Sequence, residues 1–170
     1  QLKGFNVYTA DRGETKDTNI SVDITNKKSV DNAINDGDLV INLVGLTPTQ
    51  KPKGVSYYDV HVKGAENIIN MCEKKRCRLI HMSALGAGVK GATEYLRTKG
   101  QGEEAVLRSR LDVTVFCPSI IYDTENELIT LMKNFSYLRV FPDIQAKMQP
   151  VYRKDIATLY IMAVQGKIKE

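Results

Sequence analysis

Residues 38–45 read DLVINLVG, and no other stretch constrains the fold more tightly. A strand covered on one face alternates apolar and polar residues. A nearly continuous apolar run is the pattern of a strand buried on both faces, as in a parallel sheet packed by helices on each side. The flanking segments agree. FNVYTA (5–10) and NISVDI (19–24) are β-rich, and KKSVDNAINDG (27–37) has helical spacing at Val30, Ala33 and Ile34 and stops at Gly37 as a helix C-cap would. After the loop TPTQKPKG comes a helix expected over 56–75, with Val60, Ala65, Ile68, Ile69 and Cys72 facing inward. CRLIHMSAL (77–85) is a strand, residues 93–110 a helix, and DVTVFCPSII (112–121) a strand stopped by Pro118. Leu128, Leu131, Met132 and Phe135 mark another helix, and a loop FPDIQAKMQPVY leads to KDIATLYIMAV, for which Asp155 is the expected N-cap.

Strands alternating with helices at this spacing imply an α/β doubly wound parallel sheet. The chain is expected to form a single domain over 1–170, with 124–170 as its C-terminal segment on the partner or substrate side. QLKG at the start has the look of a helix end, so a piece of the fold is expected upstream of Gln1.

Composition excludes several classes. With 170 residues, 42% hydrophobic and 26% charged, the chain reads as an ordinary globular domain, and its apolar runs are too short to span a bilayer. Three cysteines do not make a disulfide framework and fit a reducing compartment. His61 and His81 are the only histidines, and no cluster completes a metal site. The net charge of +4 comes from scattered residues such as Lys51, Lys53, Lys74, Lys75 and Arg76. These short runs read as solvated faces and not as a nucleic-acid surface.

Open parallel sheets bind ligands beyond the carboxyl ends of their strands. Functional residues are therefore expected at 10–12, 23–25, 45–47, 83–86 and 118–121. GAGVKG (86–91) spells G-x-G-x-x-G, but it follows the fourth visible strand, and the next strand ends in Cys117 and Pro118 where an acid is needed for a ribose. It reads as a loop and not as a phosphate cradle. TEYLRTKGQGEEAV (93–106) carries the sharper signal. Residues four apart share a helix face, so Tyr95 and Lys99 can meet, and a neighbouring ammonium would lower the phenol pKa. Such a pair donates a proton to a carbonyl, with Ser83, at a strand end, holding the oxygen. Gly100 and Gly102 inside the same helix each cost about 1 kcal/mol relative to alanine, which points to a close backbone or ligand approach.

VDIT, DLVINLVG, DVHVKGAENII, LIHMSALGA, EYLRTKGQGEEAV, CPSIIY and QPVYRKDIA occur in an order that resembles the atypical, extended short-chain dehydrogenases/reductases across nearly the whole chain. HMSALGA with EYLRTKGQGE and QPVYRKDIA is similar to the branch containing the nucleotide-binding accessory subunit of mitochondrial respiratory complex I and its bacterial relatives. The resemblance implies an NAD(P)-binding Rossmann-like domain whose first strand and glycine-rich loop lie upstream of residue 1. It implies that Arg12 clamps the 2′-phosphate of NADP(H), or that Asp11 bonds the free 2′-hydroxyl of NAD(H), and the branch favours NADPH. Asp23 and Ile24 would border the adenine, Gly45 would pass close to the cofactor, Ser83, Tyr95 and Lys99 would occupy the active-site positions, and Pro118 and Ser119 would flank the nicotinamide. His61, where relatives commonly carry asparagine, Asp123, where they carry glycine, and the short span from Arg12 to Asn19 depart from the pattern.

The function expected from this resemblance is an NADP(H)-binding accessory subunit of complex I, with the nucleotide held mainly for stability. It would be peripheral to the mitochondrial inner membrane on the matrix side, among other subunits of the complex, or in a bacterial cytoplasm. An active reductase using Tyr95 and Lys99 and a nucleotide-sensing regulator are the alternatives.

Overall fold

Strand β4 (Arg78–Met82) is the middle of a three-stranded parallel sheet and the best-buried of the described strands, with Leu79 and Ile80 shut off from solvent. The computed structural model describes residues 4–13, 17–47, 54–123, 137 and 149–168. In chain order the described elements are β1 (Ala10–Asp11), β2 (Ile20–Ser21), α1 (Lys27–Ala33), β3 (Leu39–Asn42), a π-helical turn (Asp59–Lys63) running into α2 (Gly64–Lys74), then β4 and α3 (Glu94–Leu107). They continue with β5 (Val113–Phe116), β6 (Ile121–Tyr122), β7 (Val151–Tyr152) and α4 (Arg153–Val164). Strand β4 pairs with β3 on one side and β5 on the other, so that Asn42 lies beside His81 and Met82 beside Phe116. β1 pairs with β2, and β6 with β7. Every pairing among the described residues is parallel, and β3–β4 and β4–β5 are joined by the helical crossovers that such pairing needs, α2 and α3.

The chain divides into two compact units, Gln1–Cys117 and Pro118–Lys169. The first holds one core in which Val22, Ile24, Val30, Val60, Ile68, Ile69, Cys72, Leu79 and Val106 interlock. In the second, Asp123 pairs with Arg153 at 2.5 Å and the rings of Tyr122 and Tyr152 lie 5.5 Å apart.

Several expected boundaries shift. Within FNVYTA only the last residue enters β1, and Phe5, Val7 and Tyr8 are exposed, because β2 is the one partner strand among the described residues and it meets only Ala10 and Asp11. DLVINLVG is not covered on both faces: Ile41 is 37% exposed and Leu43 55%, while Asn42 between them, on the opposite face, is buried. Helix α1 ends at Ala33, ahead of Gly37. Asn35 and Asp38 bond to each other in a turn there, and the Lys75 ammonium takes the carbonyls of Asp31 (2.5 Å) and Ile34 (2.6 Å). Tyr152, not Asp155, is the N-cap of α4; Asp155 lies in its first turn, where a carboxylate favours the positive end of the helix dipole. The helix expected around Leu128, Leu131, Met132 and Phe135 lies outside the described residues.

Candidate nucleotide site

The carboxyl edge of the three-stranded sheet gathers Gly45, Ser83 and Lys99 among the groups that the sequence singles out. Ser83 follows β4 directly, and its backbone N–H donates to Phe116 O at 2.8 Å, which extends the β4–β5 ladder by one residue and fixes its position. Lys99 reaches the same edge from α3, a helix that starts at Thr93, whose hydroxyl accepts from Leu96 N at 3.2 Å. Two glycines let α3 come so close. A Cβ on Gly102 would stand 2.2 Å from the His61 carbonyl oxygen, and one on Gly100 would stand 2.2 Å from Gly88 Cα. The expected close approach in this helix is therefore backbone against backbone. It also explains GAGVKG: Gly88 packs under α3, and Gly91 N donates to Gly88 O at 2.8 Å to close the loop on itself.

Lys99 is buried, and its ammonium donates to Met82 O at 2.5 Å. Burial lowers its pKa from 10.5 to about 8, while Cys117 and Glu103 act in the opposite direction. The expected coupling to Tyr95 is absent. The Tyr95 pKa is raised, by burial first and by neighbouring Tyr57 second, with no contribution from the ammonium. Sharing a helix face is not sufficient, because the lysine side chain goes to the end of β4 instead. Tyr95 sits among rings, its centroid 5.5 Å from His61 and 6.0 Å from Tyr57, edge-on to both. Ser83 is buried too, and its hydroxyl donates to the Glu103 carboxylate.

A network that sequence reasoning missed ties the site together. His61 lies in the π-helical turn, a local irregularity that recurs at functional sites. Its Nε2 accepts from Leu46 N at 3.0 Å, so Nδ1 carries the proton and donates to Thr98 Oγ1 at 2.9 Å; that hydroxyl in turn donates to Glu94 O at 2.9 Å. Burial and the nearby Lys99 lower the His61 pKa to about 4, keeping the ring neutral. His81 is held likewise: Asn42 Nδ2 donates to its Nδ1 at 3.1 Å, Asn42 Oδ1 accepts from Val44 N, and burial pushes its pKa down to about 3. Register could have found the Asn42–His81 pair, and helical spacing could have found Glu103, one turn beyond Lys99.

Gly45 lies on the loop that His61 anchors through Leu46. A Cβ there would have only Lys99 Nζ (3.7 Å) and His61 Nε2 (3.8 Å) nearby, both at ordinary contact distance. The remaining positions fall at other strand ends. Asp11 and Arg12 are exposed at the end of β1, where the Arg12 N–H donates to Asp11 Oδ1 at 2.6 Å. Asp23 accepts from Thr25 N (2.9 Å) and Thr25 Oγ1 (2.7 Å), and Ile24 is buried with its carbonyl taking Asn67 Nδ2 at 2.8 Å. Pro118 and Ser119 open the second unit, where the Ser119 hydroxyl donates to Gln149 O.

A family model for NAD(P)H-binding proteins matches residues 8–166. The chain belongs to the NAD(P)H-binding family. Among solved structures, this NAD(P)H-binding domain is similar in fold to UDP-glucose 4-epimerase of Thermus thermophilus in complex with NAD (TM-score 0.75, 15% identity, 95% of this chain and 67% of that one). It is also similar to the Bordetella bronchiseptica enzyme WbmH in complex with NAD+ (TM-score 0.74, 17% identity, 96% and 65%). Among curated relatives, it is 30% identical over 139 residues to the mitochondrial NADH-ubiquinone oxidoreductase 40 kDa subunit of Neurospora crassa. It is 28% identical over 134 residues to the mitochondrial NADH dehydrogenase (ubiquinone) 1 alpha subcomplex subunit 9 of Arabidopsis thaliana. These matches cover 81% and 75% of the chain but only 36% and 33% of the relatives' length.

Proposed function

We propose that this NAD(P)H-binding domain belongs to an accessory subunit of respiratory complex I that holds NADP(H) mainly for stability. The observation that carries the reading is how the donor groups are disposed. Lys99 is bonded to Met82 O, Ser83 to Glu103, and Tyr95 has a raised pKa, so no two of them are paired for proton delivery. The names of the curated relatives support the assembly. The family match supports the ligand.

The donor set fits a nicotinamide nucleotide. A buried cation and a strand-end hydroxyl suit the nicotinamide ribose, and the open side of Gly45 admits a ligand against the backbone. In this reading Arg12 holds the 2′-phosphate, with Asp11 as the alternative contact to an unphosphorylated ribose. Asp23 and Ile24 border the adenine, Gly45 passes the pyrophosphate side, and Ser83, Tyr95 and Lys99 face the nicotinamide ribose. Pro118 and Ser119 flank the nicotinamide. The bound nucleotide would supply hydride chemistry if a substrate reached it. The location that goes with this reading is the matrix side of the mitochondrial inner membrane, with the cytoplasm of a bacterium as the alternative. Among the described residues no helix is long and apolar enough to cross a membrane, which is compatible with a peripheral position.

Thermal unfolding with NADPH or NADH tests the reading. A ligand that binds only the folded state adds about 2.7 kcal/mol at a hundred times its Kd. NADPH is expected to raise the Tm, and Arg12→Ala to remove its advantage over NADH. Tyr95→Phe is expected to leave both binding and assembly with the complex intact. Loss of NADPH-linked carbonyl turnover in Tyr95→Phe would instead make the protein a reductase.

A further inference from the structure

CEKKRC (72–77) closes α2 and leads into β4, carrying two of the three cysteines. Cys77 N donates to Cys72 O at 2.9 Å, and Arg76 takes the left-handed conformation, with φ 52°. This is the Schellman ending of a helix, which sets two residues five apart against each other. Here both are thiols. Cys72 and Cys77 are buried in one core cluster and hydrogen-bond to each other, and Cys77 Sγ also donates to Asn35 O at 3.3 Å.

Two features set this pair apart from an inert core contact. The left-handed region is unfavourable for a residue with a Cβ, which marks the turn at Arg76 as the weak point of the α2–β4 connection. A cleft of about 580 Å³, lined by Asp36, Gly37, Lys74, Lys75 and Arg76, lies against that turn and gives a small molecule a path to it. Cys77 comes next in the chain and is the less buried sulfur, 5% exposed against 0% for Cys72. Burial raises the pKa of both thiols, that of Cys72 to about 12, but the bond between them raises Cys72 and lowers Cys77. Cys77 is therefore the better nucleophile, with Cys72 beside it as proton donor.

We propose that Cys72 and Cys77 form a dithiol–disulfide couple, oxidised by a low-molecular-weight disulfide of the glutathione class that approaches at the Arg76 turn. The Cys77 thiolate attacks one sulfur of that disulfide and expels the other half, which takes up a proton from solvent. Cys72, once deprotonated, attacks Cys77 Sγ and expels the second half as a thiol. Two protein thiols become one disulfide and the oxidant becomes two thiols, so two hydrogens and two electrons are transferred. In a reducing compartment such a disulfide forms transiently, so the couple reports on redox state. It stands at the amino end of β4, whereas Ser83 and Lys99 meet at the carboxyl end, and it involves no nucleotide.

The test uses the whole chain with Cys117→Ser, which removes the exposed thiol. The folded protein is held in oxidised glutathione for hours, quenched with N-ethylmaleimide, and read by intact mass and peptide mapping. The expected product has lost two hydrogens, retains no glutathione and is linked between Cys72 and Cys77; dithiothreitol should restore both thiols. Adding Cys72→Ser should trap one glutathione on Cys77, whereas adding Cys77→Ser should leave Cys72 unmodified. If Cys72→Ser does not fold, Cys72→Ala replaces it, and the disulfide formed by the unsubstituted pair decides in either case. Two free thiols after the exposure would overturn the proposal and leave a buried structural pair. Glutathione retained on Cys77 beside an intact Cys72 would overturn it too, as would adducts on both cysteines alike, the outcome of reaction through the unfolded chain.

Discussion

Lys99 shows how a residue can reach the sheet edge and bond there to a partner that its helical spacing does not name. Helical spacing brought it to the sheet edge beside Ser83, but a flexible four-carbon stem chooses its own acceptor, and that choice is Met82 O. Its lowered pKa has a definite consequence for stability. Between about 8 and the ordinary 10.5 the unfolded chain binds more protons at this lysine than the folded one, so stability rises with pH across that window. At about 1.4 kcal/mol per pKa unit, the buried charge costs about 3 kcal/mol below pH 8. Lys99→Met should therefore be the more stable protein near neutrality, and its advantage should vanish by pH 10.5; paired urea titrations at several pH values would show this. Thr98 makes a second point at this scale. Thr98→Val leaves the His61 Nδ1 proton without an acceptor, and denaturation should register a loss of about 1–3 kcal/mol, the cost of one unsatisfied buried donor.

Elements in this protein are placed by what their smallest residues allow. Gly102 admits the His61 carbonyl and Gly100 admits the loop at Gly88. A methyl on Gly102 meets backbone, which cannot rotate away as a side chain would. Gly102→Ala is expected to lose about 1–3 kcal/mol despite alanine's better helix propensity, and chemical denaturation would check the sign. The cost of two helix glycines was visible in the sequence; the partners that repay it were not, because they belong to segments 12 and 41 residues away. Turn and strand ends were less legible still. FNVYTA has the composition of a strand along its whole length, yet a strand lasts only as long as its partner, and composition does not name the partner.

At the scale of the molecule the order of strands and helices from β1 to β5 was readable, since buried parallel strands and amphipathic helices have different periods, whereas DVTVFCPSII, read as one strand, divides into β5 and β6. The convergence of Ser83 and Lys99 on one edge followed from that order. What did not follow was the hydrogen bonding of His61, His81 and Glu103, which depends on register and on distances of a few ångströms. The two histidines also govern the protein's response to acid. Both histidines are neutral in the fold, with pKa values of about 4 and about 3 against an ordinary 6.5. In that interval the unfolded chain binds more protons, so stability falls as pH drops from about 6.5, by up to about 1.4 kcal/mol per pH unit for each proton. Above 6.5 the histidines contribute no slope. Replacing both by asparagine should flatten the acid limb of a urea midpoint-versus-pH curve.

The π-helical turn at Asp59–Lys63 carries a last consequence. Gly64 N bonds back to Asp59 O, five residues earlier, so this turn contains one residue more than an α-helix would use. Removing one residue here would give a more regular helix and a poorer site, because a one-residue change swings every preceding side chain by about 100° around the axis. His61 would then leave both Leu46 and Thr98. Single-residue insertions and deletions in this segment are thus read out not as loop length but as rotation, and the imidazole is what they aim.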